Sequence, residues 1–211
     1  MKKLLFVVSA ITAFSLLALG TSSAEPTHPN EVGLYMTPDG YGATGTYVID
    51  APVEVYMVLT KPADVENGDA PYTSINAFAL SVSFNPIPNN NLFFLGADLP
   101  PGSIDIGLRK DINQGVLDFF VGIPFDVPVT DESVVLATLY FFNMTTAPTA
   151  VTLGPEPRTN IEGQMIYQSE EGEIRVMHSV GGSHDAPVFI FNGEAVAVEN
   201  ESFGSVKALY R

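Results

Sequence analysis

The stretch Ser74–Phe84, SINAFALSVSF, decides the fold because its side chains alternate strictly in size and polarity. The large apolar side chains occupy the even positions: Phe78, Leu80, Val82 and Phe84. Small or polar side chains occupy the odd positions: Ala77, Ala79, Ser81 and Ser83. A period of two is typical of a β-strand with one buried face and one solvent-facing face. Burying the four large side chains stabilises the fold by roughly 6–12 kcal/mol before conformational entropy is counted, so this strand requires a second sheet to pack against.

Further short apolar segments, separated by turn signals, lie on both sides of this strand. The predicted strands include Val53–Leu59, Leu92–Gly96, Gly115–Gly122, Val134–Phe142 and Ala150–Leu153, and two hairpins pair Gln164–Tyr167 with Glu173–Met177 and Val188–Phe191 with Ala195–Val198 across Asn192-Gly193. About ten short strands of this kind predict an all-β protein, an antiparallel β-sandwich of jelly-roll type. A closed barrel is the alternative. The one predicted helix is short and C-terminal, within residues 199–211.

The first 24 residues have the pattern of a signal peptide. Lys2 and Lys3 form a positive start, Leu4–Leu19 is apolar or small, and Thr21–Ala24 supplies small residues for cleavage. The apolar run is shorter than the ~20 residues of a membrane-spanning helix, which favours cleavage after Ala24 over an uncleaved anchor. We therefore expect no membrane span after cleavage, and a β-sandwich over residues 25–198. This predicts a secreted or periplasmic protein.

Composition narrows the function further. The chain has 211 residues and no cysteine, which excludes thiol catalysis and thiolate metal sites. The leader holds two of the nine basic residues and no acidic one, so the remainder carries seven basic and 24 acidic residues, a net charge of −17. Such a charge repels nucleic acid and anionic membrane surfaces, and neither is expected as a partner.

The order of the segments resembles the cohesin-like sandwich, a fold related in shape to carbohydrate-binding modules. The resemblance rests on VEVYMVLT, INAFALSVSFNP, NLFFLGADLP, GVLDFFVGIP and SVVLATLYFF, which together cover about Pro52–Gly154. It implies the sandwich fold. Binding of a dockerin is not implied, because neither a dockerin segment nor an enzyme module accompanies these segments in the chain.

A metal site is predicted in the acidic loop before the central strand. Asp64, Glu66, Asn67 and Asp69 surround Gly68 and offer oxygen ligands of the kind that calcium prefers. The spacing differs from the twelve-residue calcium loop that ends in Glu, so a plain acidic surface loop is the alternative. Calcium is the one cofactor that the sequence suggests.

Two tyrosines are the candidate ligand-binding residues. Sugar faces stack on flat rings exposed on a sheet, and the chain contains no tryptophan. Tyr41 and Tyr72 lie in predicted loops, where exposure is expected. Packing of the rings in the core or at its rim is the alternative interpretation.

Histidines suggest a third function, hydrolysis. His178, Ser183, His184 and Asp185 lie in VMHSVGGSHDAP. A hydrolase requires nucleophile, base and orienting group to converge from separated positions. Residues 183–185 are consecutive, so on a strand they would point to alternate faces, which argues against catalysis.

These observations favour an exported, non-enzymatic interaction or structural module that binds a protein partner at the cell surface. The alternatives are a carbohydrate-binding protein, with a polysaccharide of the cell envelope as its partner, and a secreted hydrolase. The carbohydrate hypothesis predicts at least two exposed, coplanar tyrosines on one sheet face. The hydrolase hypothesis predicts that His178, His184 and Asp185 line one pocket.

Overall fold

A computed structural model describes residues 26, 28–41, 44–46, 49–159, 161, 163–180 and 182–193. The predicted leader, the predicted helix within 199–211 and the predicted strand Ala195–Val198 lie outside these residues. The described strands are β1 Glu31–Tyr35, β2 Gly45–Thr46, β3 Ala51–Thr60, β4 Ala63–Asp64, β5 Ala70–Pro71, β6 Ser74–Asn85, β7 Leu92–Asp98, β8 Ile104–Asp105, β9 Lys110–Asp111, β10 Val116–Pro128, β11 Ser133–Asn143, β12 Thr149–Gly154, β13 Met165–Ser169, β14 Ile174–Ser179 and β15 Phe189–Phe191. Two 3-10 turns, Val65–Asn67 and Ile112–Gln114, complete the described elements. No helix in the described ranges is long and apolar enough to span a membrane.

The strands form two layers, which we name sheet I and sheet II. Sheet I has the order β7-β11-β3-β1. Sheet II is built on β6, which pairs with β10 along one edge. The other edge of β6 is shared by β13 and β12, and β12 continues to β15 and β2. The chain is therefore the predicted β-sandwich.

Strand β14 connects the two layers. It pairs antiparallel with β13 of sheet II and parallel with β1 of sheet I. A second parallel pair joins β2 to β15, and the other described pairs are antiparallel. Within the described residues β7 and β10 are not paired with each other, so the sheet stays open on that side.

The core lies between the layers, where the predicted alternation is confirmed. All four even-numbered side chains of β6 are buried, together with Val53, Val55, Met57 and Leu59 of β3. Aromatic rings pack against each other between the sheets. The ring centroid of Phe141 in sheet I lies 5.9 Å from that of Phe84 and 5.1 Å from that of Phe191 in sheet II, and both ring pairs are edge-to-face. Edge-to-face pairs of this kind add to the stabilisation that burial of their area provides.

The opposite face of β6 is less exposed to solvent than the sequence predicts. Ala79 and Ser81 were expected to face solvent, yet they are only 2% and 4% exposed. Ser81 is covered because its hydroxyl donates to Asp118 Oδ1 of the neighbouring strand at 2.6 Å. Ala79 is covered because it lies between the larger Phe120 and Ile166, its partners on the two neighbouring strands. An alternating pattern identifies the more apolar face but does not show whether another segment covers the other one.

Replacing Leu80 by alanine tests the central strand. Leu80 is fully buried, so Leu80→Ala leaves a cavity and lowers the free energy of unfolding by about 2–5 kcal/mol. Ser83→Ala, on the opposite and half-buried face of the same strand, is the matched control and changes it by about 0.5 kcal/mol or less. Urea unfolding of both variants measures the difference. Equal effects would contradict the assignment of faces.

Candidate functional site

The outer face of sheet II carries an apolar groove of about 240 Å³. Small side chains form its floor: Ala77 and Ala79 of β6 and, across from Ala77, Gly122 of β10. Larger apolar side chains form its walls: Phe120, Ile166 and Ile174. Small residues on adjacent strands leave the groove open, and the large ones beside them make it apolar.

An apolar ridge borders this groove at the edge of sheet II. Ile104, Ile106 and Leu108 are 69%, 52% and 68% exposed. Ile104 pairs with Gly122, and the Ile106 amide donates to the Phe120 carbonyl, so the ridge continues the grooved face. The sequence signal for this ridge is the stretch SIDIGLR, residues 103–109, which has apolar residues at every second position.

Buried ion pairs fix the ridge to the sheet. The Asp118 side chain is fully buried and accepts from both Arg109 Nε (2.6 Å) and Arg109 Nη2 (2.9 Å). Burial works against ionisation of Asp118, but the hydrogen bonds from Arg109 and Ser81 outweigh it and hold the pKa of this carboxyl below its usual value. The Arg109 side chain reaches Asp118 from the end of the ridge, so the ion pair restrains the ridge directly.

A second buried carboxylate repeats this arrangement. Glu156 is 1% exposed and accepts from Arg158 Nε at 2.9 Å. Arg158 also donates to the Ile106 carbonyl and covers the Phe120 ring, 5.4 Å from its centroid. Thus Arg158 links the turn after β12 to both the ridge and the groove.

The predicted calcium ligands surround an arginine instead. Asp64 Oδ1 lies 3.0 Å from Arg175 Nη2, and Glu66 Oε2 lies 3.6 Å from Arg175 Nη1. The hydrogen bond from Asn67, with further help from Arg175, lowers the pKa of Asp64. Asp69 is exposed. In the described ranges no three acidic or histidine side chains are placed to share a metal ion. Calcium binding at this loop stays a prediction.

Of the two predicted ligand-binding tyrosines, only one is exposed. Tyr41 is 39% exposed, on the segment that follows β1. Tyr72 is 7% exposed, and the prediction that it faces solvent is wrong. Its ring packs edge-on against Tyr167, and its hydroxyl donates to Glu173 Oε2 (3.0 Å) while accepting from Arg175 Nε (2.8 Å). Hairpin β13–β14 therefore encloses Tyr72, a long-range contact that the local sequence does not encode.

His178 and His184 do line one cavity, of about 250 Å³, together with Ser183 and Asp185, and we name these four residues the histidine cluster. His184 Nδ1 lies 3.3 Å from the Leu153 carbonyl, and Ser183 Oγ accepts from the backbone amide of Asp185 at 3.2 Å. Among the residues that the structure describes, no side chain of this cluster is hydrogen-bonded to another. The nucleophile–base contact that hydrolysis requires is thus not formed here.

Comparisons with known proteins give a likeness of fold. No model of a protein family matches the chain, and no curated protein does. Solved cohesin modules do. The second type II cohesin of the ScaA scaffoldin of Acetivibrio cellulolyticus is 12% identical, with a TM-score of 0.49 over 80% of this chain and 99% of that one. The sixth cohesin of scaffoldin B of the same organism, in complex with a Cel5 dockerin, is 12% identical, with a TM-score of 0.46 over 78% and 99%.

A third example comes from another organism. The cohesin in the Coh-OlpA-Doc918 complex from Clostridium thermocellum is 6% identical, with a TM-score of 0.48 over 72% of this chain and 95% of that one. The chain is similar to cohesin modules. The resemblance predicted from the apolar segments is therefore found among solved structures. Identities this low describe the fold and carry no information about the ligands of this chain.

Removing Arg109 should show how much the unpaired, buried carboxylate of Asp118 destabilises the folded state. Arg109→Ala leaves Asp118 buried without its cation and lowers the free energy of unfolding by about 3–5 kcal/mol at pH 7. In the wild type the pKa of Asp118 is lowered, so its stabilising contribution is lost as pH falls below about 4. In the variant that pKa rises above the unfolded value, and protonation at low pH relieves the penalty. Urea unfolding between pH 3 and 7 should therefore show the two proteins converging as the pH falls.

Lys110→Ala is the control for that experiment. Lys110 pairs with Asp105 and donates to the backbone carbonyl of Asp118, but makes no bond to the Asp118 carboxylate. Its loss should cost about 1–3 kcal/mol, and protonation of Asp118 at low pH should not relieve that cost. A constant difference between wild type and Arg109→Ala across the pH range would contradict the role of Asp118.

Calcium addition tests the predicted metal site. Because Arg175 already pairs with Asp64 and lies 3.6 Å from Glu66, we expect millimolar calcium to leave the thermal midpoint of the wild type unchanged, as a ligand that does not bind the folded state cannot stabilise it. Differential scanning calorimetry with calcium and with a chelator measures this. A midpoint several degrees higher in calcium would support the metal hypothesis.

Proposed function

We propose that this protein is an exported, non-enzymatic interaction module that binds a protein partner through the groove and ridge of sheet II. The observation that carries the proposal is a set of apolar side chains on one outer face, Phe120 and Ile174 in the groove and Ile104 and Leu108 on the ridge, of which the last three are exposed. Monomeric proteins rarely expose large contiguous apolar patches, and such patches are typical of interaction sites. The leader supports action outside the cytoplasm, at the cell surface or in the periplasm.

Rigidity of the ridge supports the proposal. Exposure of the three aliphatic side chains to water does not stabilise this irregular edge segment. Three polar contacts hold it in place: Arg109 donates to Asp118, Arg158 donates to the Ile106 carbonyl, and Asp105 accepts from backbone amides. Asp105 Oδ1 accepts from the amides of Gly107 (2.8 Å) and Phe120 (3.2 Å). A surface that is ordered before binding loses less entropy when a partner docks.

The charges beside the ridge are balanced within the chain. Three of the seven basic residues outside the leader, Arg109, Lys110 and Arg158, lie beside the ridge with 35–43% of their side chains exposed, and each is paired with a carboxylate of this chain. We therefore expect a partner protein with an apolar contact surface, whose polar rim can donate to or accept from these ion pairs.

The test is capture of a partner by residues 25–211 from envelope and medium fractions of the producing organism. Each fraction is used untreated, protease-treated and glycosidase-treated. Gly122→Arg places a charge in the groove, and an ideal Cβ at Gly122 meets no atom within 4 Å, so the fold tolerates it. Ile104→Asp does the same on the ridge. Both should reduce capture tenfold or more, a loss of about 1.4 kcal/mol or more.

Leu95→Asp is the matched control, since Leu95 is 59% exposed on β7 of the other sheet. It should capture the partner as the wild type does, and protease treatment of the fractions should abolish capture. The proposal is overturned if Gly122→Arg and Ile104→Asp capture normally, or if glycosidase alone removes the captured material.

A further inference from the structure

The outer face of sheet I carries four aromatic rings on three adjacent strands. Tyr56 of β3 pairs with Thr138 of β11, Tyr140 of β11 pairs with Glu54, and Phe142 of β11 pairs with Phe93 of β7. Directly paired residues of antiparallel strands point to the same face, and so do residues two apart on one strand. Tyr56, Phe93, Tyr140 and Phe142 therefore share the face turned away from the core, and we name them the aromatic platform.

Each ring of the platform is half-buried, in contrast to its fully buried neighbours on the core side. Val55, Leu139 and Phe141 are at most 1% exposed, whereas Tyr56, Tyr140 and Phe142 retain exposed surface. Rings at alternate positions of one strand are about 7 Å apart, so consecutive rings form a row and not a single stacked pair. The row presents apolar surface to solvent along sheet I.

Carboxylates orient the two tyrosines. The Tyr56 hydroxyl donates to Glu54 Oε1 at 2.6 Å, and the Tyr140 hydroxyl donates to Asp98 Oδ2 at 2.8 Å. The hydrogen bond to Asp98 raises the pKa of Tyr140 to about 12, and that to Glu54 raises the pKa of Tyr56, so both phenols stay protonated. No described residue donates to the second oxygen of either carboxylate. Those oxygens can accept hydrogen bonds from a ligand.

Gly96 keeps the platform open beside Tyr140. It pairs directly with Tyr140, and a Cβ built there would meet no atom within 4 Å. Its φ of 147° lies in a region that side chains other than glycine rarely adopt. An extended ligand can therefore approach the Tyr140 ring from the side of β7.

Charge limits the class of ligand. Strands β3, β7 and β11 contain no lysine or arginine, and the platform is flanked by Glu54 and Asp98. Phosphorylated or uronic-acid polymers would meet like charge. A second copy of this chain would bring the same carboxylates together, in a protein with a formal net charge of −15. A neutral ligand that offers both apolar faces and hydroxyl donors suits the surface.

We propose that the aromatic platform binds a neutral polysaccharide, whose sugar faces stack on Tyr56, Tyr140 and Phe142 while its hydroxyls donate to Glu54 and Asp98. This site is distinct from the groove and ridge of sheet II and does not depend on them. It also places two half-buried tyrosines, Tyr56 and Tyr140, on one sheet face, whereas the carbohydrate hypothesis named Tyr41 and Tyr72 and required exposed, coplanar rings. One module would then hold a protein on one face and a glycan on the other.

Retention by insoluble neutral polysaccharides tests the proposal. Residues 25–211 are depleted from solution with cellulose, xylan and chitin as separate probes, and the bound fraction is measured against protein concentration. Tyr140→Ala should weaken retention by about tenfold, and Tyr56→Ala combined with it by roughly a hundredfold. Tyr140→Phe keeps the ring and should retain most of the binding. Glu54→Gln with Asp98→Asn should weaken binding while leaving the rings in place.

The control distinguishes this site from the protein-binding face. Ile104→Asp should bind polysaccharide normally while losing the protein partner, and Tyr140→Ala should do the reverse. Thermal midpoints within a few degrees of the wild type exclude unfolding as the cause. The proposal is overturned if none of the three polysaccharides retains the wild type, or if Tyr140→Ala binds as tightly as Tyr140→Phe.

Discussion

The rest of the structure depends on β6, because this strand is hydrogen-bonded to neighbouring strands along both of its edges. One edge of this strand is shared, so that β13 pairs with its first half and β12 with its second half, while β10 takes the whole of the other edge. Its large side chains fill the core, and its small ones lie under ion pairs and a groove. A strand buried in this way tolerates few side chains on either face. The small residues at its odd positions are what allow charged and apolar neighbours to approach so closely.

The buried carboxylates on the outer side of sheet II follow from that constraint. Ser81 is small enough for Asp118 to lie over it, and Asp118 in turn requires Arg109. An isolated buried charge is expensive, so the geometry of the ridge is set by the need to bring a cation to each carboxylate. Residues 104–109 therefore supply both the apolar side chains of the ridge and the arginine that pairs with Asp118. The proposed binding surface and the ion pairs that stabilise it therefore lie in the same segment.

The sequence predicted the strands and turns, which depend on neighbouring residues, but not the contacts between residues far apart in the chain. Alternation identified β3 and β6, and Asn, Gly and Pro signals placed the turns and the hairpin β13–β14. The burial of Tyr72, by contrast, is set by residues about a hundred positions away, and Arg175 occupies the acidic loop from the same distance. Local composition identified Asp64 and Glu66 as candidate metal ligands, but it cannot show that Arg175 lies beside them. The aromatic platform was missed for the same reason: Tyr56, Phe93 and Tyr140 become neighbours only through strand register.

The position of β14 has a mechanical consequence. Since its backbone is bonded to β13 on one side and β1 on the other, the two layers share one ladder and cannot slide or separate independently. Within the described residues the two layers are not paired with each other between β7 and β10. A force that pulls the layers apart would therefore act on the backbone hydrogen bonds that β14 makes to β13 and to β1.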